Sequence, residues 1–182
     1  MENFLRNDGL GLVSADSIYL QHILTYVREK KFEGLSNDLL FRLGARIEFS
    51  PGIPEFLQTV REYIAKTDEF RAQHITVEHS VVSSGLRRMI LGSNVAKYLD
   101  GVWACEFVER FPRPGYLSEP ADSRYKASGT GEIVGIGYSI DNTTKTRAIF
   151  EINKGSNKYS EIDVNSFIPY DDRRIPFNCR RS

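Results

Sequence analysis

His74-Ile75-Thr76-Val77-Glu78-His79-Ser80-Val81-Val82-Ser83-Ser84-Gly85-Leu86-Arg87-Arg88-Met89-Ile90-Leu91-Gly92-Ser93 is the stretch on which the fold turns. Its first half is rich in β-branched residues and reads as a buried strand, Ile75 to Val82. Ser83-Ser84-Gly85 reads as a turn, and a helix is expected from about Leu86, with Leu86, Met89 and Ile90 on its inner face. A strand that feeds a helix through Ser and Gly offers a hydroxyl and backbone N–H groups at one point. The first N–H groups of a helix lack intrahelical partners, and the helix dipole favours an anion there. Ser83 can equally serve as a plain helix cap.

Outward from this stretch, Gly101 leads into a second apolar strand, Val102 to Val108. Helix, strand, helix, strand at this spacing implies an α/β fold with a parallel sheet and flanking helices. On the N-terminal side, Phe56, Leu57, Val60, Tyr63 and Ile64 follow Pro54 at helical spacing, the most regular amphipathic pattern in the chain. Thr67 to Gln73 reads as polar linker. Earlier still, Tyr19, Leu20, Ile23, Leu24 and Val27 mark one helix, capped at Ser14. Leu39, Leu40 and Leu43 mark a shorter one opened by Ser36 or Asn37 and closed by Gly44. These two form a helical segment, 1–49, distinct from an α/β portion, 50–182.

Beyond the second strand, Phe111 to Gly131 is rich in Pro and Gly and reads as loop. Glu132 to Ile140 reads as a strand. Asp141-Asn142-Thr143-Thr144 caps a helix from Lys145 that Asn153-Lys154-Gly155 ends. The closing segment, Ser156 to Ser182, is mostly polar and finishes on arginines.

The balance of charge narrows the function. Lys and Arg total 24, Asp and Glu total 24, so net charge gives no drive toward nucleic acid or an anionic membrane. No apolar run is long enough to span a bilayer, and Met1-Glu2-Asn3-Phe4-Leu5-Arg6 lacks the layout of a secretory leader. Cys105 and Cys179 fit a reduced, cytoplasmic chain, and His22, His74 and His79 show no metal-ligand spacing with either.

Three stretches in this order resemble the haloacid dehalogenase-like (HAD) hydrolases, a phosphatase superfamily with a Rossmann-like core. They are Phe49 to Leu57, Val81-Val82-Ser83-Ser84-Gly85-Leu86, and Thr144 to Gly155. The second is similar to the family's second motif, a hydrophobic strand ending in Ser or Thr. The third is similar to its third motif, a Lys at or near a helix start. The resemblance implies a phosphate-binding group of Ser83, Ser84, Gly85 and Lys145, with Lys154 a weaker candidate for the lysine. It also implies Mg²⁺ as cofactor, a small phosphorylated molecule as ligand, and a helical cap in the segment before Phe49.

In that family an Asp-x-Asp pattern supplies the nucleophile and later acidic residues hold the metal. Neither is present here: no Asp-x-Asp occurs, and Asp171-Asp172 is followed by Arg173-Arg174 rather than by a further apolar strand. The expectation is therefore a fragment of such a hydrolase, truncated at both ends, with a phosphate-binding half-site and no turnover of its own. Exposed sheet edges would then allow oligomers. The alternatives are a non-catalytic phosphate-ligand binder, and an interaction module in which Arg87, Arg88 and the closing arginines make contacts.

Overall fold

The structure, a computed structural model, describes residues 17–111, 114–115 and 131–153. Ser14, Asp8, Lys154, Asp171, Asp172, Cys179 and the closing arginines lie outside these residues. The first helix, α1, runs Ile18–Arg28. Its stripe is the one the spacing predicts: Leu20, Leu24 and Val27 are buried, and Tyr19 and Ile23 are half-buried beside them. Helix α2 runs Asn37–Gly44, and Ser36 Oγ accepts from Leu39 N at 3.1 Å. That bond satisfies one of the N–H groups a helix start leaves without a partner.

Helix α3 runs Ile53–Lys66, with Gly52 in the left-handed region at φ 84° and a proline in the first turn. Only glycine enters that region without steric cost, so Gly52 sets the sharp entry. The stretch expected as linker contains a short helix, α4, Asp68–Ala72. Strand β1 is Ser80–Leu86 and helix α5, Arg87–Gly92, follows without a break. A 3-10 turn at Ala96–Tyr98 leads to β2, Gly101–Val108. Strand β3 is Gly135–Tyr138, and helix α6 is Asn142–Asn153.

The class is α/β, as the order of elements implies, but the sheet is not all-parallel. β1 pairs with β2 in parallel, Val82 opposite Trp103, whereas β3 pairs with β2 antiparallel, Phe107 opposite Ile136. The described sheet is three-stranded and mixed, in the order β1-β2-β3. A parallel neighbour needs a crossover, normally helical, and α5 supplies one between β1 and β2. An antiparallel return needs no such crossover.

β1 also lies four to five residues later than its apolar pattern suggests. Ile75 to His79 lie in no strand, and the expected Ser83-Ser84-Gly85 turn is part of the strand. The register slips there: β1 advances from Val82 to Leu86 while β2 advances only from Trp103 to Cys105. The polar residues thus form a bulge rather than a turn. A bulge keeps the strand going while re-aiming its side chains.

Trp103, Cys105 and Phe107 of β2 enter one hydrophobic cluster with Leu20, Leu24 and Val27 of α1, Leu40 of α2, Ile133, Ile140 and Ala148 of α6. The segment before Phe49, as far as it is described, is therefore layered on the sheet and shares its core. α2 and α5 approach backbone to backbone. A Cβ on Gly44 would meet the Met89 carbonyl oxygen and lie 2.9 Å from Gly92 Cα, and one on Gly92 would strike the Phe41 carbonyl. Glycine at both positions is what permits this approach.

Gly92→Ala gains up to about 1 kcal/mol of helix propensity. It loses more by overpacking, about 1–3 kcal/mol for a forced backbone shift. Net destabilisation is expected as a lower urea midpoint with little change in slope; an unchanged or higher midpoint would show that the two helices separate freely.

Candidate functional site

The bulge in β1, the middle of β2 and the lead into α6 meet at Cys105. Its thiol is completely buried and free. Cys105 Sγ lies 3.2 Å from the Ser84 carbonyl oxygen and accepts from Ile140 N at 3.2 Å. The Tyr19 hydroxyl donates to the same Ser84 carbonyl. Burial, and then the neighbouring Cys105, pushes the Tyr19 phenol well above its ordinary range, so it stays a donor. The thiol and the phenol thus hold the bulge carbonyl, and the same sulfur accepts from the Ile140 amide. This arrangement brings the Ser83 bulge and the lead into α6 to the middle of β2.

Each residue of the expected phosphate group has a definite place. Ser83 is half-buried in the bulge, and its Oγ accepts from Gly85 N at 3.0 Å. The hydroxyl proton remains available to donate. The Gly85 N–H, expected to be open to an anion, is occupied by Ser83. This follows from the bulge, which folds Gly85 back over the side chain two residues earlier. Ser84 turns its carbonyl to Tyr19 and Cys105. Lys145 lies in the first turn of α6, its Nζ 3.3 Å from Asn142 Oδ1. α6 itself packs beside β1.

The start of α6 is closed by a reciprocal pair. Thr144 N donates to Asp141 Oδ1 at 2.7 Å, and Asp141 N donates to Thr144 Oγ1 at 2.7 Å. The Thr144 amide and hydroxyl hold the Asp141 carboxyl below the ordinary aspartate range. The expected start at Lys145 moves back to Asn142 because, of the four residues expected to cap it, Asp141 is the cap and the other three are helical.

Several groups escaped the sequence. Arg87 is half-buried: Nε donates to Val102 O at 3.2 Å and Nη1 pairs with Glu106 at 3.2 Å. Arg88 Nε reaches Asn37 O at 3.4 Å and its guanidinium lies 5.6 Å from the Phe41 ring centre. Neither is the free contact residue that an interaction module would want. Glu151 is nearly fully buried on α6, accepting from Trp103 Nε1 at 3.0 Å and from Arg147 Nε at 2.9 Å. Glu109 accepts from Asn37 N at 2.8 Å and from Gly131 N at 3.3 Å. An i,i+4 Arg-Glu pair on a helix was the one visible hint; the Trp103 and Asn37 partners are 48 and 72 residues away.

A divalent metal does not fit these residues. Glu106 is engaged by Arg87 and Asp141 by the α6 cap, and among the described residues no three His, Cys, Asp or Glu side chains group as ligands. An open cleft of about 470 Å³ lies elsewhere, between α3 and residues 71–77, bordered by Arg61, Ile64, His74, Ile75 and Val77. None of Ser83, Ser84, Gly85 or Lys145 lines it. Among the described residues no helix is long and apolar enough to cross a membrane.

Comparison with known proteins adds one relative. The chain is 40% identical over 177 residues, 97% of its length, to an uncharacterized protein of Borreliella burgdorferi. It spans 58% of that relative's length. No family model matches, and no solved structure matches.

Two consequences can be measured. Trp103→Phe keeps the ring but removes the only indole donor to a buried carboxylate, costing about 2 kcal/mol in a denaturant melt; Glu151→Gln, which leaves an acceptor for Trp103, costs less. Because the Asp141 carboxyl is depressed, its contribution to stability is full above the unfolded aspartate range and lost as pH falls through the folded value. The Thr144 amide resonance should therefore titrate below that range. In Asp141→Ala the titration disappears and the first turn of α6 frays.

Proposed function

We propose that this chain carries the phosphate-holding half of a haloacid dehalogenase-like phosphatase site and does not turn over phosphate esters alone. In this reading Ser83 donates its hydroxyl proton to a phosphoryl oxygen. Lys145, whose contact with Asn142 leaves its charge unneutralised, balances the anion. Phosphoryl chemistry rewards such placement, since charge sits on the peripheral oxygens and fixed donors and cations stabilise it. Ser84 positions the pair through its carbonyl and not through contact with the ligand.

The observation that carries the reading is the Cys105 junction. Through it the Ser83 bulge and the lead into the Lys145 helix are tied to one side chain of β2 within two hydrogen bonds. The parallel β1–β2 pair, crossed by α5, also suits it, because ligands of open α/β sheets gather at the carboxyl ends of parallel strands. The sequence has no Asp-x-Asp to act as nucleophile. No step is assigned to Mg²⁺, because the neighbouring acids are committed to Arg87 and to the α6 cap.

A second reading, a non-catalytic binder of a phosphorylated ligand, uses the same two side chains and is favoured by those committed acids. One titration addresses both. Inorganic phosphate should move the amide resonances of Ser83, Ser84 and Lys145 saturably. Ser83→Ala and Lys145→Ala should each weaken binding about tenfold, the value of one charge-assisted hydrogen bond. Resonances that stay still at high phosphate would end both readings. Mg²⁺-dependent hydrolysis of a phosphate monoester that vanishes in Ser83→Ala would instead show a working catalyst.

A further inference from the structure

Helices α3 and α4 bury none of their residues, yet they are joined to each other. The Tyr63 and Phe70 rings meet edge to face across the joint, centroids 6.2 Å apart, and Thr67 Oγ1 donates to the Tyr63 carbonyl at 2.7 Å. At both ends the chain passes through a left-handed residue, Gly52 at φ 84° and His74 at φ 52°. Residues at the ends of elements are where hinges absorb a change of backbone angle.

The polar contacts that hold this pair of helices to the body gather at one place. Arg61 Nη2 donates to Asp100 Oδ2 at 2.6 Å and to the Tyr98 carbonyl at 3.3 Å, and His79 Nε2 lies 2.9 Å from the Leu57 carbonyl oxygen. Asp100 is itself fixed to the body. Its Oδ2 also accepts from His79 N at 2.7 Å, and its own N–H donates to the His79 carbonyl at 2.8 Å. One carboxylate thus joins α3 to the entry of β1. Apolar support is partial, since Leu57, Val60 and Ile64 are only half-buried. α1, by contrast, buries Leu20, Leu24 and Val27 in the shared core. Elements with few buried apolar contacts open at a lower free energy than the core they rest on.

We propose that α3 and α4 form an arm that opens as a unit while the sheet stays folded, and that the Arg61–Asp100 pair is its latch. The two side chains are 34% and 40% exposed, so salt reaches the pair and screens it. Ionic strength therefore promotes opening. In the open state Leu57, Val60 and Ile64 lose their partial cover, so the latch governs how much apolar surface the chain presents. This goes beyond the phosphate reading and does not depend on it, because none of Ser83, Ser84, Gly85 and Lys145 belongs to the arm or its latch.

Native-state hydrogen exchange of the full chain, read residue by residue in a series of low urea concentrations, tests it. The amides of Val60 to Lys66 and of the end of α4 should share one opening, with a common urea slope smaller than that of Trp103 to Phe107. Asp100→Asn keeps an oxygen for His79 N and removes the charge. It and Arg61→Gln should each speed exchange in the arm about two- to fivefold, the reach of one exposed ion pair, and leave β2 as it was. The double variant should exchange no faster than Arg61→Gln alone. Raising potassium chloride from ~0.05 M to ~1 M should speed the arm relative to β2 in the wild type and not in Arg61→Gln. Arm amides that exchange only together with β2, or each at its own urea-independent rate, overturn the proposal. So do arm amides with no protection in the wild type, or an arm indifferent to Asp100→Asn.

Discussion

Every layer of this molecule is referred to one strand. A strand with neighbours on both sides must pair its backbone groups along both edges, and the apolar side chains of β2 must be covered. β2 solves this with a parallel partner, an antiparallel partner, and α1 packed over Trp103, Cys105 and Phe107. Cys105 is central to that solution. A small, soft side chain there lets the Ser84 carbonyl and the Ile140 amide approach from different elements, and each finds a partner at the sulfur. The bulge in β1 and the lead into α6 are held by the same atom.

Around this junction the buried polar groups are paired across long sequence distances. Glu151 is held by an indole and a guanidinium, and Glu109 bridges α2 to the start of the β3 segment. Burying a carboxylate is costly without partners, so these contacts lock the relative positions of helices and sheet. Asp141 is different: half-buried, it acts on its own helix end, and its depressed pKa reports that local bond. The phosphate reading rests on the rigid set, since Ser83 and the lead into the Lys145 helix inherit their placement from it.

The apolar surface is divided between two tasks. α1 commits its stripe to the core, whereas α3 only half-buries Leu57, Val60 and Ile64 and leaves Phe56 and Tyr63 largely exposed. From the sequence the two helices look alike, and α3 the more regular. What separates them is that Leu20, Leu24 and Val27 of α1 join the cluster built on β2 while α3 is anchored at the start of the sheet through Arg61 and His79. A hydrophobic pattern states that a face must be covered, not what covers it.

The sequence by itself determined the local elements. Helical spacing located α1, α2 and α3, Ser36 marked a cap, and Gly101 marked the entry to β2, because these depend on neighbours a few residues apart. It also determined the parallel pairing of β1 with β2, through the short helix between them. Ser83 and Lys145 were legible as candidates from motif and order alone. Only the tertiary structure decided that Ser83-Ser84-Gly85 is a bulge, that β3 returns antiparallel, and that the Gly85 amide is already taken. Only it revealed the Glu151, Glu109 and Arg87 partners. These outcomes rest on register and on contacts between residues far apart in the chain, where local propensity is silent and the shared core sets the answer.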